Sequence, residues 1–226
     1  MPSILITGAS RGLGLEFARE YAAAGWKVHA ACRDPEQAPA LAKLKGNIVP
    51  HRLDVRSVPQ IATLKSALGQ EPLDILLNNA GIYGPRDSSI AALDDDDWLD
   101  TFHVNSIAPL RIADALAENV ARSEKKLMIF ITSQMGSIAR SAGGAQPYRM
   151  SKAALNAGVR SLSFELAAQG IACVVLHPGW VRTDMGGPGG TLDVKTSVGH
   201  MRKVIEGLGP KDNGRFLDHE GNEVPW

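Results

Sequence analysis

The chain has 226 residues, with 24 lysines and arginines against 24 aspartates and glutamates, and two cysteines. That length suffices for one large α/β domain, and balanced charge with no basic block argues against nucleic acid or a membrane surface as the main partner. No amino-terminal segment reads as a secretory signal and no apolar run approaches the ~20 residues that span a bilayer, so a cytoplasmic protein is expected, with Cys32 and Cys173 as buried free thiols.

The first element is an apolar strand, Ile4-Leu5-Ile6, followed by Thr7-Gly8-Ala9-Ser10-Arg11-Gly12-Leu13-Gly14 and a helical pattern through Tyr21 and Ala22. Strand, glycine-rich turn and helix are the context of a dinucleotide site. Gly8 allows the tight turn, Gly12 lets backbone approach a pyrophosphate, and Gly14 lets the helix pack close to the strand. The helix start then offers free N–H groups and a positive dipole end. Gly8, Ser10, Arg11, Gly12 and Leu13 are therefore candidate cofactor contacts. The next strand, Lys27 to Cys32, ends at Arg33, where an acidic residue would select NAD. Arg33 with Arg11 supplies two guanidiniums suited to a 2′-phosphate, so NADPH is expected over NADH. Asp34, which could turn back toward the sugar, is the counter-argument.

Further strand runs fall near 2–7, 27–32, 48–52, 73–78, 127–132, 171–177 and 214–218, alternating with amphipathic helices. This predicts an α/β fold: a single Rossmann-type doubly wound, mostly parallel seven-stranded sheet with helices on both faces, one domain over 1–226. Two segments break the pattern, Gly84 to Ser89 and Gly186-Gly187-Pro188-Gly189-Gly190; the second is expected to be mobile. The run Asp94 to Asp97 precedes a helix and reads as its cap rather than a metal site. The six histidines show no helical i,i+4 pair and no cysteine companions, so no metal is expected.

In Tyr148-Arg149-Met150-Ser151-Lys152 the tyrosine and lysine lie four apart, on one face of a helix. A fixed ammonium favours phenolate and is expected to lower the phenol from its usual pKa of ~10. Such a pair suits proton exchange with a carbonyl or alcohol.

These motifs together resemble the short-chain dehydrogenase/reductase family over nearly the whole chain: Thr7 to Gly14, Leu53-Asp54-Val55, Asn78-Asn79-Ala80-Gly81, Val104-Asn105, Ile131-Thr132-Ser133, Tyr148 with Lys152, and His177-Pro178-Gly179-Trp180-Val181-Arg182-Thr183. Ser133-Gln134-Met135-Gly136-Ser137-Ile138 and the closing Gly-Arg-Phe-Leu-Asp run resemble the carbonyl-reductase-like branch that includes the C-factor and sniffer proteins. The resemblance implies a catalytic set of Ser133, Tyr148, Lys152 and Asn105. It implies that Asp54 and Val55, then Asn79, Ala80 and Gly81, line the adenine side. Pro178, Gly179, Val181 and Thr183 would flank the nicotinamide, and Tyr148 and Lys152 would also touch the cofactor. It further implies that the glycine-rich 186–190 run is a lid.

The expected reaction is hydride transfer between NADP and a carbonyl or alcohol, Tyr148 and Ser133 donating hydrogen bonds to the carbonyl oxygen and Tyr148 its proton. Lys152 would hold the nicotinamide ribose, and the Asn105 amide a water relaying protons to Lys152. Tyr83, Met135, Ile138, Trp180 and Met185 would form an apolar substrate pocket, with Arg86 or Arg140 as an anion contact. The loop with Gly143 and Gly144 should border the substrate. The alternative is an NADP(H)-binding regulatory or signalling protein of C-factor type with little turnover. The partner is a small carbonyl or alcohol, and the resemblance leaves monomer, homodimer and homotetramer open.

Overall fold

Strands covered on both faces must be apolar on both, and alternate residues must then enter different cores. The computed structural model, which describes residues 1–86 and 90–226, has this arrangement. Seven strands, β1 (Ser3–Thr7), β2 (Lys27–Cys32), β3 (Ile48–Arg52), β4 (Ile75–Asn78), β5 (Leu127–Ile131), β6 (Ala172–His177) and β7 (Phe216–Asp218), form one sheet in the order β3-β2-β1-β4-β5-β6-β7. Every pairing is parallel, so the expected "mostly parallel" sheet is parallel throughout. The run expected at 73–78 shortens because Leu73 N–H bonds to the Asn119 carbonyl before the strand begins.

Along β5, Leu127, Ile129 and Ile131 enter one core while Met128 and Phe130 enter the other. The first core packs against α1 (Gly12–Ala23) and α7 (Val194–Gly207), with the short α2 (Pro39–Ala42) at its edge. The second packs against α3 (Val58–Leu68), α5 (Ala108–Ala121) and α6 (Gln146–Glu165). Each fully buried Leu, Ile or Phe side chain contributes roughly 1.5–3 kcal/mol. The remaining helix, α4 (Asp95–Phe102), starts at Asp94, whose carboxylate accepts from Asp96 N–H at 2.8 Å; the acidic run is a cap. α4 passes into α5 through a π turn at His103–Ile107, a bulge often found at functional sites.

The strand order reverses between β1 and β4, and ligands of such sheets bind in the crevice at the strands' carboxyl ends there. Among the described residues no helix is long and apolar enough to cross a membrane. The segment 84–89 is described as far as Arg86; 87–89 lie outside the described residues.

Candidate active site

A cleft of about 350 Å³ opens at that switch point, lined by residues that follow β1, β2, β3, β4, β5 and β6. Of the expected cofactor contacts it takes in Gly8, Ser10, Arg11, Gly12, Leu13, Arg33, Asp54, Val55, Asn79, Ala80, Gly81, Tyr148, Lys152, Pro178 and Thr183. Gly12 has φ +56°, and a Cβ there would meet nothing nearer than Thr183 Cγ2 at 3.9 Å, so bare backbone faces the cleft. No side chain caps the start of α1, which leaves its first turn open to an anion. Asn79 Nδ2 donates to the Thr7 and Gly8 carbonyls at 2.9 and 3.3 Å, tying the glycine turn to β4. These features fit a dinucleotide.

On this side two of the expected side chains are held in ion pairs, and one expectation is corrected. Arg11 lines the cleft and is paired with Asp184 at its mouth, an exposed ion pair of a kind worth about 0–1 kcal/mol, so a phosphate would compete with Asp184 for it. The Asp54 carboxylate is held by Arg56 at 2.8 Å, whose hydrogen bonds lower its pKa; Arg56 also reaches Asp100 at 2.9 Å. Gly179 and Val181 do not line the cleft: Gly179 packs on His219, and Val181 is buried in a bridge to Leu192.

At the other end of the cleft, Tyr148 and Lys152 of the catalytic candidates line it, and Ser133 and Asn105 do not. Ser133 follows β5 and its Oγ accepts from Met135 N–H at 3.1 Å, which leaves the hydroxyl proton free to donate outward. The Ser133 turn lies tight on α6, so tight that a Cβ on Gly136 would come within 2.8 Å of the Lys152 carbonyl carbon. Tyr148 is buried on α6, near enough to Ser133 for that hydroxyl to favour the phenolate. Lys152 Nζ is buried too and donates to the Ile131 carbonyl at 2.9 Å.

The electrostatics differ from the expectation. The Tyr148 phenol is pushed up to about 12, chiefly by burial, against a lowering by the Ser133 hydrogen bond. Lys152 does not pull it down: the ammonium lies 5.9 Å from the ring centroid, is turned to Ile131, and is itself pushed down to about 8 by burial. Asn105 also differs. Its Oδ1 accepts from Ile82 N–H at 2.9 Å, and its Nδ2 donates to the Ile82 carbonyl at 2.8 Å and to Ser151 Oγ at 3.0 Å. Both N–H groups and one Oδ1 lone pair of that amide are used in holding the 81–82 backbone to the helix, which leaves one Oδ1 lone pair to accept from a water and no N–H to donate to it.

Of the substrate candidates, Met185 lines the cleft and Tyr83 stacks on Tyr148 with centroids 4.8 Å apart. Met135 and Trp180 do not line it; Trp180 is half exposed and its Nε1 donates to the Gly186 carbonyl at 2.9 Å. Ile138, Arg140 and Gly143 are exposed and outside it. Arg86 lies over the Tyr83 ring at 4.6 Å and donates to the Met185 carbonyl at 3.0 Å. The 186–190 run forms no helix, as expected, but is folded onto its neighbours: Gly186 N–H bonds to Thr183 Oγ1 at 3.0 Å and Arg182 Nη1 to the Gly190 carbonyl at 2.8 Å.

The family profile for short chain dehydrogenases matches residues 2–190. The chain belongs to the short-chain dehydrogenase family. Its similarity extends to "Carbonyl reductase Sniffer of D. melanogaster", 38% identical over 100% of both chains with a TM-score of 0.89. An NADPH-bound carbonyl reductase from chicken fatty liver is 36% identical, with a TM-score of 0.91 over 100% of this chain and 99% of that one. The C-signal protein of Myxococcus xanthus is 48% identical over 159 residues, 69% of this chain and 93% of that protein. This short-chain dehydrogenase thus falls in the C-factor and sniffer branch. Sequence reasoning passed over Arg56, Asp100 and Asp184, all at its cleft. Arg56, two residues after Asp54, was within reach of a turn argument; the other two lie distant in sequence from their partners.

Proposed function

We propose that this oxidoreductase reduces aldehydes or ketones with NADPH, residues 1–226 acting as one domain. The observation that carries the reading is the buried Tyr148 phenol lining the cleft, with Ser133 near it at the end of β5. A phenol held near 12 keeps its proton at neutral pH, which suits donation to a carbonyl oxygen as negative charge grows there. Ser133 would hold that oxygen with a second hydrogen bond. Lys152, anchored on the Ile131 carbonyl, would present its remaining N–H groups to a ribose. Gly12, Leu13 and the start of α1 would hold the pyrophosphate, and Arg33 a 2′-phosphate. Bound NADPH would supply the hydride. The carbonyl reductases among the similar structures, one of them NADPH-bound, support this reading.

The test is NADPH oxidation with a panel of aldehydes, ketones and quinones, for the parent chain and for Tyr148→Phe. The variant is expected to lose turnover by at least about 100-fold, the scale of general acid catalysis, while binding NADPH normally. Retained turnover would remove Tyr148 from the acid role. The 48% identity to the C-signal protein favours a second reading, an NADP(H)-binding signalling protein. That reading gains if NADPH binds but no carbonyl of the panel turns over.

A further inference from the structure

Outside the cleft, His200 on α7, His219 just after β7 and its neighbour Glu220 bring one donor atom each within 4.8 Å of one another. The rings of His200 and His219 lie 5.5 Å apart between centroids. Both Nδ1 atoms are buried and have no hydrogen-bond partner. A buried polar atom without a partner is costly, and two in one small space ask for a shared one. The Nδ1 of His177, at the end of β6, is a third such atom close by: His177 pairs in register with Asp218, and its ring lies in the field of His219.

Gly179 fixes which His219 nitrogen is available. A Cβ at that position would be 2.8 Å from His219 Nε2, so the Nε2 edge of the ring packs on the Gly179 backbone and Nδ1 is turned away from it. Two imidazoles and one carboxylate form a donor set suited to a borderline transition cation, and a poor one for calcium or magnesium, which take mostly oxygen. Tetrahedral zinc with bonds of about 2.0–2.2 Å needs donors roughly 3.4 Å apart. The three donors stand within 4.8 Å of one another, so closing on a cation would draw them together by up to about 1.4 Å; Glu220 is exposed and its carboxylate accepts from Asn222 Nδ2 at 3.5 Å.

We propose that His200, His219 and Glu220 form a zinc-class site, with His219 binding through Nδ1. The site stands behind the Pro178-Gly179 segment. Pro178 lines the cleft, and its carbonyl accepts from Ser197 Oγ at 2.6 Å, one turn before His200 on the same helix. A bound cation would therefore tie α7, the end of β7 and this wall of the cleft together. The proposal is independent of the reductase reading, since it names no group that acts on the substrate.

The test titrates the chelator-treated full chain with Zn²⁺ alone, against a chromophoric zinc chelator, and records the visible spectrum with Co²⁺. One Zn²⁺ per chain is expected, with the intense visible absorption of four- or five-coordinate cobalt. His219→Gln, His200→Gln and Glu220→Gln should each weaken binding at least about 10-fold, the scale for losing a metal-site group. Glu220→Gln is decisive because an exposed side chain can change without unfolding the chain; circular dichroism checks all three. No Zn²⁺ bound, or Zn²⁺ bound with affinity unchanged in Glu220→Gln and in whichever histidine variants fold, would overturn the site.

Discussion

Arg33 and Asp34 stand side by side at the end of β2 and point to opposite cofactors, so their partners decide between them. Asp34 is engaged by Arg52 at 3.2 Å, a half-exposed ion pair that would compete with a ribose hydroxyl for the carboxylate. Arg33 lines the cleft and, among the described residues, has no carboxylate partner. With Arg11 paired to Asp184, the proposed preference for NADPH is placed on Arg33. A hydrogen bond to a charged group is worth about 1.5–3 kcal/mol. Arg33→Ala should therefore weaken NADPH roughly 10- to 150-fold and leave NADH nearly unchanged, read by cofactor fluorescence titration. An equal loss for both would undo the assignment of Arg33.

At the scale of elements, β2 and β3 are joined through their side chains as well as their backbones. His29 Nδ1 and His51 Nε2 are 2.9 Å apart, His29 Nε2 is 3.3 Å from Glu71, and Lys27 reaches Glu71 at 2.7 Å. Burial lowers both histidines; His51 falls to about 4, helped by the charges of His29 and Lys27. Below 6.5, their ordinary value, the unfolded chain binds these protons and the folded chain resists them. Stability from this pair is complete above 6.5 and is lost as pH falls toward 4. Urea midpoints measured through that window should decline, and His51→Gln should flatten the decline; an unchanged slope would place its source elsewhere.

The contact between α6 and the Ser133 turn is a second such junction. Gly136→Ala would press a methyl onto the Lys152 backbone, and overpacking costs typically about 1–3 kcal/mol. A lowered denaturation midpoint together with reduced kcat is expected, because the same turn carries Ser133. A parent-like kcat would mean that the turn shifts without moving that hydroxyl.

Across the whole molecule, the last residues return to the loop after Ser133. Val224 N–H bonds to the Phe216 carbonyl at 2.9 Å, Trp226 packs on Phe216 with centroids 5.5 Å apart, and together they cover the edge at β7. From there Ser137 Oγ donates to the Pro225 carbonyl at 2.5 Å and Ala139 N–H to the Trp226 carbonyl at 3.0 Å. Deleting 224–226 should therefore lower kcat by freeing the loop after Ser133. NADPH affinity should hold, since the glycine turn lies on the far side of the cleft; a loss confined to NADPH binding would contradict this division.

Strand positions, the glycine turn, the Tyr148–Lys152 face and the cap at Asp94 were legible in the sequence because each is a local pattern: periodicity, spacing or a residue type at an element's end. Family and fold followed from these patterns in order. Tertiary structure alone decided what each side chain does once packed. It paired Arg11 with Asp184, 173 residues away, and turned Lys152 to the Ile131 carbonyl rather than to the phenol. It engaged both N–H groups of the Asn105 amide, raised the Tyr148 phenol where spacing alone argued for a lowering, and drew His200 to His219 from a helix and a loop. Local patterns set where the backbone goes; charge, solvation and hydrogen-bond partners depend on which distant atoms share the same few ångströms, and only the packed chain fixes those.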